Sequence, residues 1–374
     1  MLRGVLARIR SRTDARAFRV FSAAIGFIAI LKGLHLALRV GGQSGFAYRG
    51  WFGEVPDFAG AAGPVALIAL WFVCAVALLL GLRPRVAAAG LAVLATSFAI
   101  ADSRIYNQHL YLIGLVALII ALTDLRAGTV PRWSPFLIKF QASTVYGFGA
   151  LAKLSVDFVT GRVLFTVFAH QPVAQLLGGA ASDARLLVGL SLATIGTELF
   201  LAIGAWVTRL RGLVLAVAGP FHLGMLLLLP LSLQGLLALS VFGAIQLTIL
   251  LVVFAPRDRL VVVWDDQCSF CSRWVRAFTR LDHLRLLDLR PLSQAGDYAA
   301  TGIRQEAARD ALQLRAADGS IHGGFEAVRR IAYALPLTML LAPWLSLWPV
   351  RAIGGRAYRR VAIRRQCAVG SATA

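Results

Sequence analysis

Through the first two-thirds of the chain, apolar residues run in long blocks, and polar residues collect in the gaps between them. A membrane-spanning helix needs about 20 mostly apolar residues. Eight blocks approach that length: 17–38, 64–82, 86–101, 108–125, 136–153, 186–206, 213–231 and 235–255. The third is short and the fifth is the more polar. Gly219-Pro220, inside the seventh, is tolerated in a membrane helix. The arginine-rich amino end leads into a long apolar block with no Ala-x-Ala site, so 17–38 reads as an anchor, not a cleaved leader. The pattern predicts a multi-span α-helical membrane bundle of about eight helices over residues 1–256.

The period changes after Pro256. Leu260 to Trp264 is a short β-branched run, as in a buried strand. In 268–281, Phe270, Trp274, Val275, Phe278 and Leu281 share a helical face. Leu284 to Leu289 reads as a second strand and 303–312 as a helix. Ala311–Arg315, the Asp318-Gly319 turn and Ser320–His322 make a hairpin, and Phe325–Ala334 a further helix. The order βαβαββα predicts a small α/β domain over 257–374. Pro336, Pro343 and Pro349 interrupt the apolar stretch 335–350, which is expected to pack on this domain or lie in the membrane interface beside the basic tail Arg359–Arg365.

Composition supports lipid as the solvent. Only 15% of the 374 residues are charged and 58% are hydrophobic, against about 25% charged in soluble domains. Lys and Arg outnumber Asp and Glu by 38 to 18, for a net charge of +20. No basic stripe with interleaved aromatics occurs, so nucleic acid is not the expected partner. The basic residues instead fit loops that face anionic lipid. The tail through Arg19 has six arginines, and Arg83/Arg85, Arg126/Arg132 and Arg209/Arg211 follow in alternate loops. The other loops are poorer in charge, with Arg49, Arg104, Arg162 and Arg185. This predicts an inner (cytoplasmic) membrane protein with both termini in the cytoplasm.

Candidate chemistry falls into two groups. Cys268 and Cys271 form a Cys-x-x-Cys pair at a strand-to-helix junction, while Cys74 lies in an apolar block and Cys367 in the tail. A helix N-terminus favours a thiolate. Cys268 is expected to be the more exposed nucleophile and Cys271 the resolving thiol, with Arg273 and Arg276 adding positive charge. Half of a zinc site and a structural remnant are the alternatives, although no second ligand pair with metal spacing follows. The other group is intramembrane. Lys32 and His35 share a helix face; His109, Lys153, Glu198 and His222 lie in or at the ends of later blocks. Such groups are costly in lipid and mark functional sites or polar networks between helices. By the expected topology Lys32, His35, His109 and Lys153 lie toward the outer side, with Glu198 and His222 nearer mid-depth.

Two resemblances sharpen these readings. Asp265-x-x-Cys268-x-x-Cys271, Asp318-Gly319, Gly324-Phe325-Glu326-Ala327-Val328 and Tyr358-Arg359-x-Val361-Ala362-x-Arg364 make residues 261–365 resemble the DCC family of thiol-disulfide oxidoreductases. That resemblance implies a thioredoxin-like fold and a thiol partner, protein or small molecule. Asp266 stands where the family has glycine, which puts an acid beside the thiols, and no proline lies between Pro291 and Pro336 to supply a cis-proline loop. Residues 12–255 resemble the HTTM domain, the membrane domain of vitamin K-dependent γ-carboxylases and their bacterial relatives. The residues that carry this are Tyr106-Asn107-Gln108-His109, Ala152-Lys153-Leu154 with Asp157 and Gly161, and Phe221-His222-Leu223. The resemblance implies Lys153 as a base, His109 as its oxyanion or proton partner, and a quinone or hydroquinone cofactor near Lys32, His35, Glu198 and His222. Phe158 replaces the family's tryptophan, and the carboxylase's large extracytoplasmic domain is absent, so glutamate carboxylation is not expected. The expected function is a membrane redox protein; the alternative is a non-catalytic scaffold or transporter with a partner-binding thioredoxin-like domain.

Overall fold

The computed structural model describes residues 11–41, 49–50, 53–54, 62–101, 107–125, 128–169, 178–228, 232–255, 258–294 and 301–370. Arg3, Arg8, Arg10, Arg104, Tyr106, Arg126 and parts of both long connections lie outside these residues, as does the side chain of Cys367. The chain divides into two units, residues 1–253 and 254–374.

The first unit is helical. Strand β1 (Arg12–Asp14) precedes α1 (Arg16–Gly41), α2 (Ala62–Leu79), α3 (Pro84–Ala101) and α4 (Gln108–Leu122). Strand β2 (Thr129–Pro131) leads into α5 (Trp133–Ala152), the short α6 (Val156–Val159) and α7 (Arg162–Ala169), then α8 (Ala184–Gly204), α9 (Arg211–Leu228) and α10 (Leu233–Phe254). The eight longer helices fall on the eight predicted blocks. Among the described residues five of them, α1, α3, α8, α9 and α10, are long and apolar enough to cross a membrane, and α2 and α4 are shorter apolar helices.

Lipid offers no hydrophobic drive for helices to associate, so shape fit and interhelical hydrogen bonds hold such a bundle. The fully buried Trp71 of α2 donates its indole N–H to Ala29 O of α1 at 2.7 Å. Phe18, Ile25, Phe98, Leu91, Ile113 and Ile245 complete the core between α1, α3, α4 and α10. Cys74 is half-buried and packs toward Gly90 of α3. The outward face is also apolar, with Val65, Val73, Val93, Leu118 and Phe148 exposed. A helix apolar all round is one whose surroundings are apolar too. At one end, β1 and β2 pair antiparallel, Thr13 opposite Val130. Arg12 reinforces them, its Nε donating to Thr129 Oγ1 at 2.8 Å. The start of α1 and the α4–α5 connection therefore share one face of the bundle, as the charge pattern predicts.

The second unit is a small α/β domain. Strand β3 (Leu260–Trp264) is followed by α11 (Ser269–Leu281), β4 (Leu287–Pro291), α12 (Gln305–Asp310), the hairpin β5 (Gln313–Arg315) and β6 (Ile321–Gly323), α13 (Phe325–Ala334), α14 (Pro336–Met339) and α15 (Trp348–Gly370). The sheet order is β4-β3-β5-β6, with β3 and β4 parallel and the other pairs antiparallel. Successive residues of a strand face opposite sides. Val262 packs with Phe278, Leu314, Ala327 and Ile331 on one side. Val263 packs with Leu292, Ile303 and Ala308 on the other. A strand buried on both faces loses its alternation, which is why β3 reads as a plain β-branched run.

Several boundaries differ from expectation, the hairpin strands by one or two residues. The second strand begins at Leu287, not Leu284, because the Asp282 carboxylate accepts the Leu286 and Leu287 N–H groups at 2.9 and 2.8 Å and holds the approach as a turn. The helix expected over 303–312 is only Gln305–Asp310. The stretch 335–350, for which no element was expected, and the tail form α14, a 3₁₀ turn at Trp344–Ser346 and the 23-residue α15, with Leu335, Met339 and Ala342 buried. Pro349 falls in the first turn of α15, where its missing N–H costs nothing.

Helix α15 closes the fold through one tyrosine. The Tyr358 hydroxyl accepts the Leu312 N–H at 2.9 Å, and Leu312 O in turn accepts the Gly324 N–H at 2.9 Å. Gly324 has φ +63°, and a Cβ there would also meet the Tyr358 ring at 3.3 Å. Glu326 adds ion pairs to Arg329 at 2.7 Å and Arg351 at 2.8 Å, tying α13 to α15. The distant motif residues around Gly324 and Tyr358 thus form one joint. Tyr358→Phe is expected to lower unfolding free energy by about 1 kcal/mol, by stranding the Leu312 amide. Thermal unfolding of the purified chain measures this, and an unchanged midpoint refutes the joint.

Candidate functional site

Cys268 is the N-cap of α11, and its sulfur accepts the Cys271 N–H at 3.4 Å. The cap places Sγ against one of the unpaired amides at the positive end of the helix. Among the described residues neither cysteine forms a disulfide. Cys268 is 6% exposed and Cys271 7%, so Cys268 is not the more exposed of the two, contrary to expectation. Its sulfur folds back on the helix end instead of projecting from it. Arg273 and Arg276 are exposed on α11.

Asp266 does not face the sulfurs. Its carboxylate accepts the Ser293 N–H at 3.0 Å and the Ser293 hydroxyl at 2.6 Å. It clips the loop before the cysteines to the loop after β4. Slight burial opposes the charge, but these hydrogen bonds outweigh it and hold the carboxyl below the usual aspartate range. The acid beside the thiols is thus a structural clip. Next to Cys271 lies an apolar cleft of about 270 Å³, lined among others by Phe270, Trp274, Leu312, Phe325 and Tyr358. Among the described residues no group of three or more metal-ligating side chains occurs.

In the bundle the six intramembrane candidates fall into three linked clusters. Lys32, fully buried, donates to Asn107 Oδ1 at 3.1 Å and lies 3.1 Å from His35 Nδ1. Asn107 Oδ1 also caps α4 by accepting the Leu110 N–H at 2.9 Å. His109 lies within electrostatic reach of Lys32 and His35. Its ring is 5.9 Å from Phe242 of α10, which is also 5.8 Å from the His222 ring. His222 Nε2 and the Tyr146 hydroxyl share a hydrogen bond of 2.7 Å. Tyr146 is within electrostatic reach of Glu198, and Glu198 binds Lys153 through both oxygens, at 2.9 and 3.0 Å. A polar belt therefore crosses the bundle through α1, α4, α10, α9, α5 and α8.

Lys153 and His109 are not joined directly. Lys153 Nζ also donates to Gly149 O at 3.2 Å and lies 5.8 Å from the Phe158 ring. Lys153 and Glu198 sit at one level, although Glu198 was expected deeper than Lys153. Glu198 is six residues, about 9 Å, before the end of α8. Helix α5 stops at Ala152, and the chain runs on alongside α8: Gly161, at φ +80°, is pressed against Leu187. The third lysine, Lys139, is accounted for by a cation–π contact, 4.3 Å from the Trp206 ring.

Phe242 and Gln246 of the belt were not singled out from sequence, and Asn107 and Tyr146 were noted only within the stretches that resemble the HTTM domain, not as site residues. Gln246 is fully buried in α10, and neither of its amide atoms has a hydrogen-bond partner. The Nδ1 atoms of His109 and His222 are likewise buried without partners. Gln246 follows Phe242 and Gly243 by one helical turn, and both of those residues adjoin His222. An amide in the interior of a 22-residue apolar helix, well away from Gln234 at its start, was the available signal. Attention to ionisable residues alone passes over it.

A many-helix bundle embedded in lipid and followed by a dithiol-bearing α/β domain defines a multi-pass membrane redox protein. The family model of the HTTM domain matches residues 13–241, more than half of the chain, and the chain belongs to that family. A second family model, DCC1-like thiol-disulfide oxidoreductase, matches residues 262–370. No curated protein and no solved structure matches the chain.

The Asp266 clip sets a pH dependence. A carboxyl held below its ordinary value adds stability above the unfolded pKa of about 3.9, and the contribution fades as pH falls through the folded value. Asp266→Ala is expected to cost at most about 1 kcal/mol at pH 7, and the two proteins should converge in strong acid. Denaturant titrations at pH 7 and below pH 4 test this; a deficit that persists in acid refutes the clip.

Proposed function

We propose that the chain is a thiol-disulfide exchange protein of the inner (cytoplasmic) membrane, with both termini in the cytoplasm, and that its bundle holds a lipid-soluble ligand with a polar head. The single observation that carries the exchange reading is the Cys268 sulfur capping α11 against the Cys271 amide. The arginine distribution and the β1–β2 pairing support the orientation.

In the exchange, the Cys268 thiolate attacks one sulfur of a partner disulfide. The partner's second sulfur leaves as a thiolate and takes up a proton. Cys271, deprotonated, then attacks the Cys268 sulfur and expels the first partner thiol, leaving a Cys268–Cys271 disulfide. Two electrons and two protons pass from the dithiol to the partner, a protein or small-molecule disulfide that leaves as thiols. The adjacent apolar cleft suits a disulfide flanked by apolar groups.

In the bundle, the orphaned atoms of His109, His222 and Gln246 around Phe242 fit a planar head that bears oxygens, such as a quinone or hydroquinone. Buried polar atoms without partners are costly, and the oxygens of such a head would satisfy them. These residues would hold the head, and bound there it would supply two-electron redox chemistry. Lys32 hydrogen-bonds Asn107 and His35, and among the described residues forms no ion pair, so it is the cation that would face the head from the His109 side. Lys153 takes part as half of an ion pair, so proton exchange there runs between Nζ and the Glu198 carboxylate.

The near-burial of both sulfurs favours a second reading, a membrane scaffold or transporter whose thioredoxin-like domain only binds a partner. Thiol trapping decides. The Cys271→Ser variant should accumulate mixed disulfides at Cys268, and Cys268→Ser should not; thiols inert to a small disulfide reagent in the native protein would leave the scaffold. For the bundle, mass spectrometry of small molecules copurifying with the solubilised protein should detect an oxygen-bearing lipophile. Its amount should fall at least tenfold in Gln246→Leu, the loss of about 1.4 kcal/mol of binding. Equal recovery from both proteins removes Gln246 from the site.

A further inference from the structure

The second unit carries a surface that neither the dithiol nor its cleft accounts for. Leu337 of α14 is 62% exposed, Leu341 62%, Trp344 42%, Leu347 48% and Trp348 81%. These residues follow one another along the turn from α14 into α15. Beside them α15 presents Arg351, Arg356, Arg359 and Arg360, all exposed, and Ile353 at 64% exposure. From Ala327 to Ala374 the sequence has eight arginines and no Asp or Glu. The Glu326 carboxylate on α13 neutralises part of this charge through Arg329 and Arg351, which leaves Arg356, Arg359 and Arg360 facing outward without an acidic partner in the segment.

We propose that this crest and the arginines of α15 form a membrane-docking surface that seats in the headgroup layer of an anionic bilayer. Contiguous exposed apolar patches are rare on soluble surfaces and mark contact sites. Tryptophan with leucine on one side and arginine on the other is the pattern of an interfacial segment. Each arginine near an anionic leaflet adds about 1 kcal/mol of attraction. Two further observations select lipid as the occupant. Helix α10, a membrane-crossing helix, ends at Phe254 and β3 begins at Leu260, so at most about 20 Å of chain separates a spanning helix from this domain. A second copy of the chain would also set one arginine-rich helix against another. The proposal is independent of the thiol chemistry and of any ligand in the bundle.

The test uses the full chain in lipid nanodiscs and compares its tryptophan emission with that of a Trp344→Phe, Trp348→Phe double variant; the difference reports the two crest tryptophans. In discs containing phosphatidylglycerol, dibrominated acyl chains should quench most of that difference and aqueous iodide little of it. Replacing phosphatidylglycerol by phosphatidylcholine, or adding molar salt, should reverse the preference. Quenching by iodide and not by brominated lipid means a surface left in water, and overturns the proposal. Quenching by neither means a surface covered by protein, a second copy or another part of this chain, and overturns it equally. Brominated-lipid quenching that ignores headgroup charge and salt overturns the electrostatic part, because the arginines then contribute nothing.

Discussion

The bundle is organised by the cost of charge in an apolar medium. An ionised group without a partner is many kcal/mol out of place there, so every cation and acid in the helices has to be answered by another group. Glu198 is answered by Lys153, and Lys139 by the Trp206 ring. Lys32 is answered by neutral acceptors alone. These pairings decide which helix faces meet: α5 meets α8 through Lys153 and Glu198, α5 meets α9 through Tyr146 and His222, and α1 meets α4 through Lys32 and Asn107. The apolar core then fills the space those contacts leave.

The α/β domain follows a different logic. Its central strand β3 is buried on both faces, and the approach to β5 is held by hydrogen bonds that run through one side chain, Tyr358. The cysteines sit at the same end of the central strand, where the chain passes from β3 into α11. Asp266 and Ser293 fix that passage from outside. The thiols are positioned by the strand–helix corner, where both are buried.

Much of this was legible in the sequence. Eight apolar blocks gave the eight helices because a run of about 20 apolar residues has few other uses. Leu260–Trp264 was readable as a strand because Val262 and Val263 must satisfy two cores at once. The dithiol stood out by its spacing. The later boundaries were less legible for local reasons. Asp282 delays β4 by capping two amides with its side chain, and α15 was hidden by prolines, of which Pro349 falls where a helix accepts one. The belt was half legible. Lys32, His35, His109, Lys153, Glu198 and His222 declare themselves as charges in lipid, but their pairing is a matter of helix rotation, which periodicity in a uniformly apolar helix does not encode. Gln246 and Tyr146 carry no charge, so nothing marked either as a member of the belt.

The β1–β2 pairing bears on how the chain is assembled. Arg12 and Thr129 are 117 positions apart, with four apolar helices between them. The two short strands cannot meet until those helices have all been threaded into lipid and returned to the starting side. Closure of that ribbon therefore marks a completed first half, and a nascent chain stalled after three crossings would leave its amino-terminal strand dangling and open to other edges.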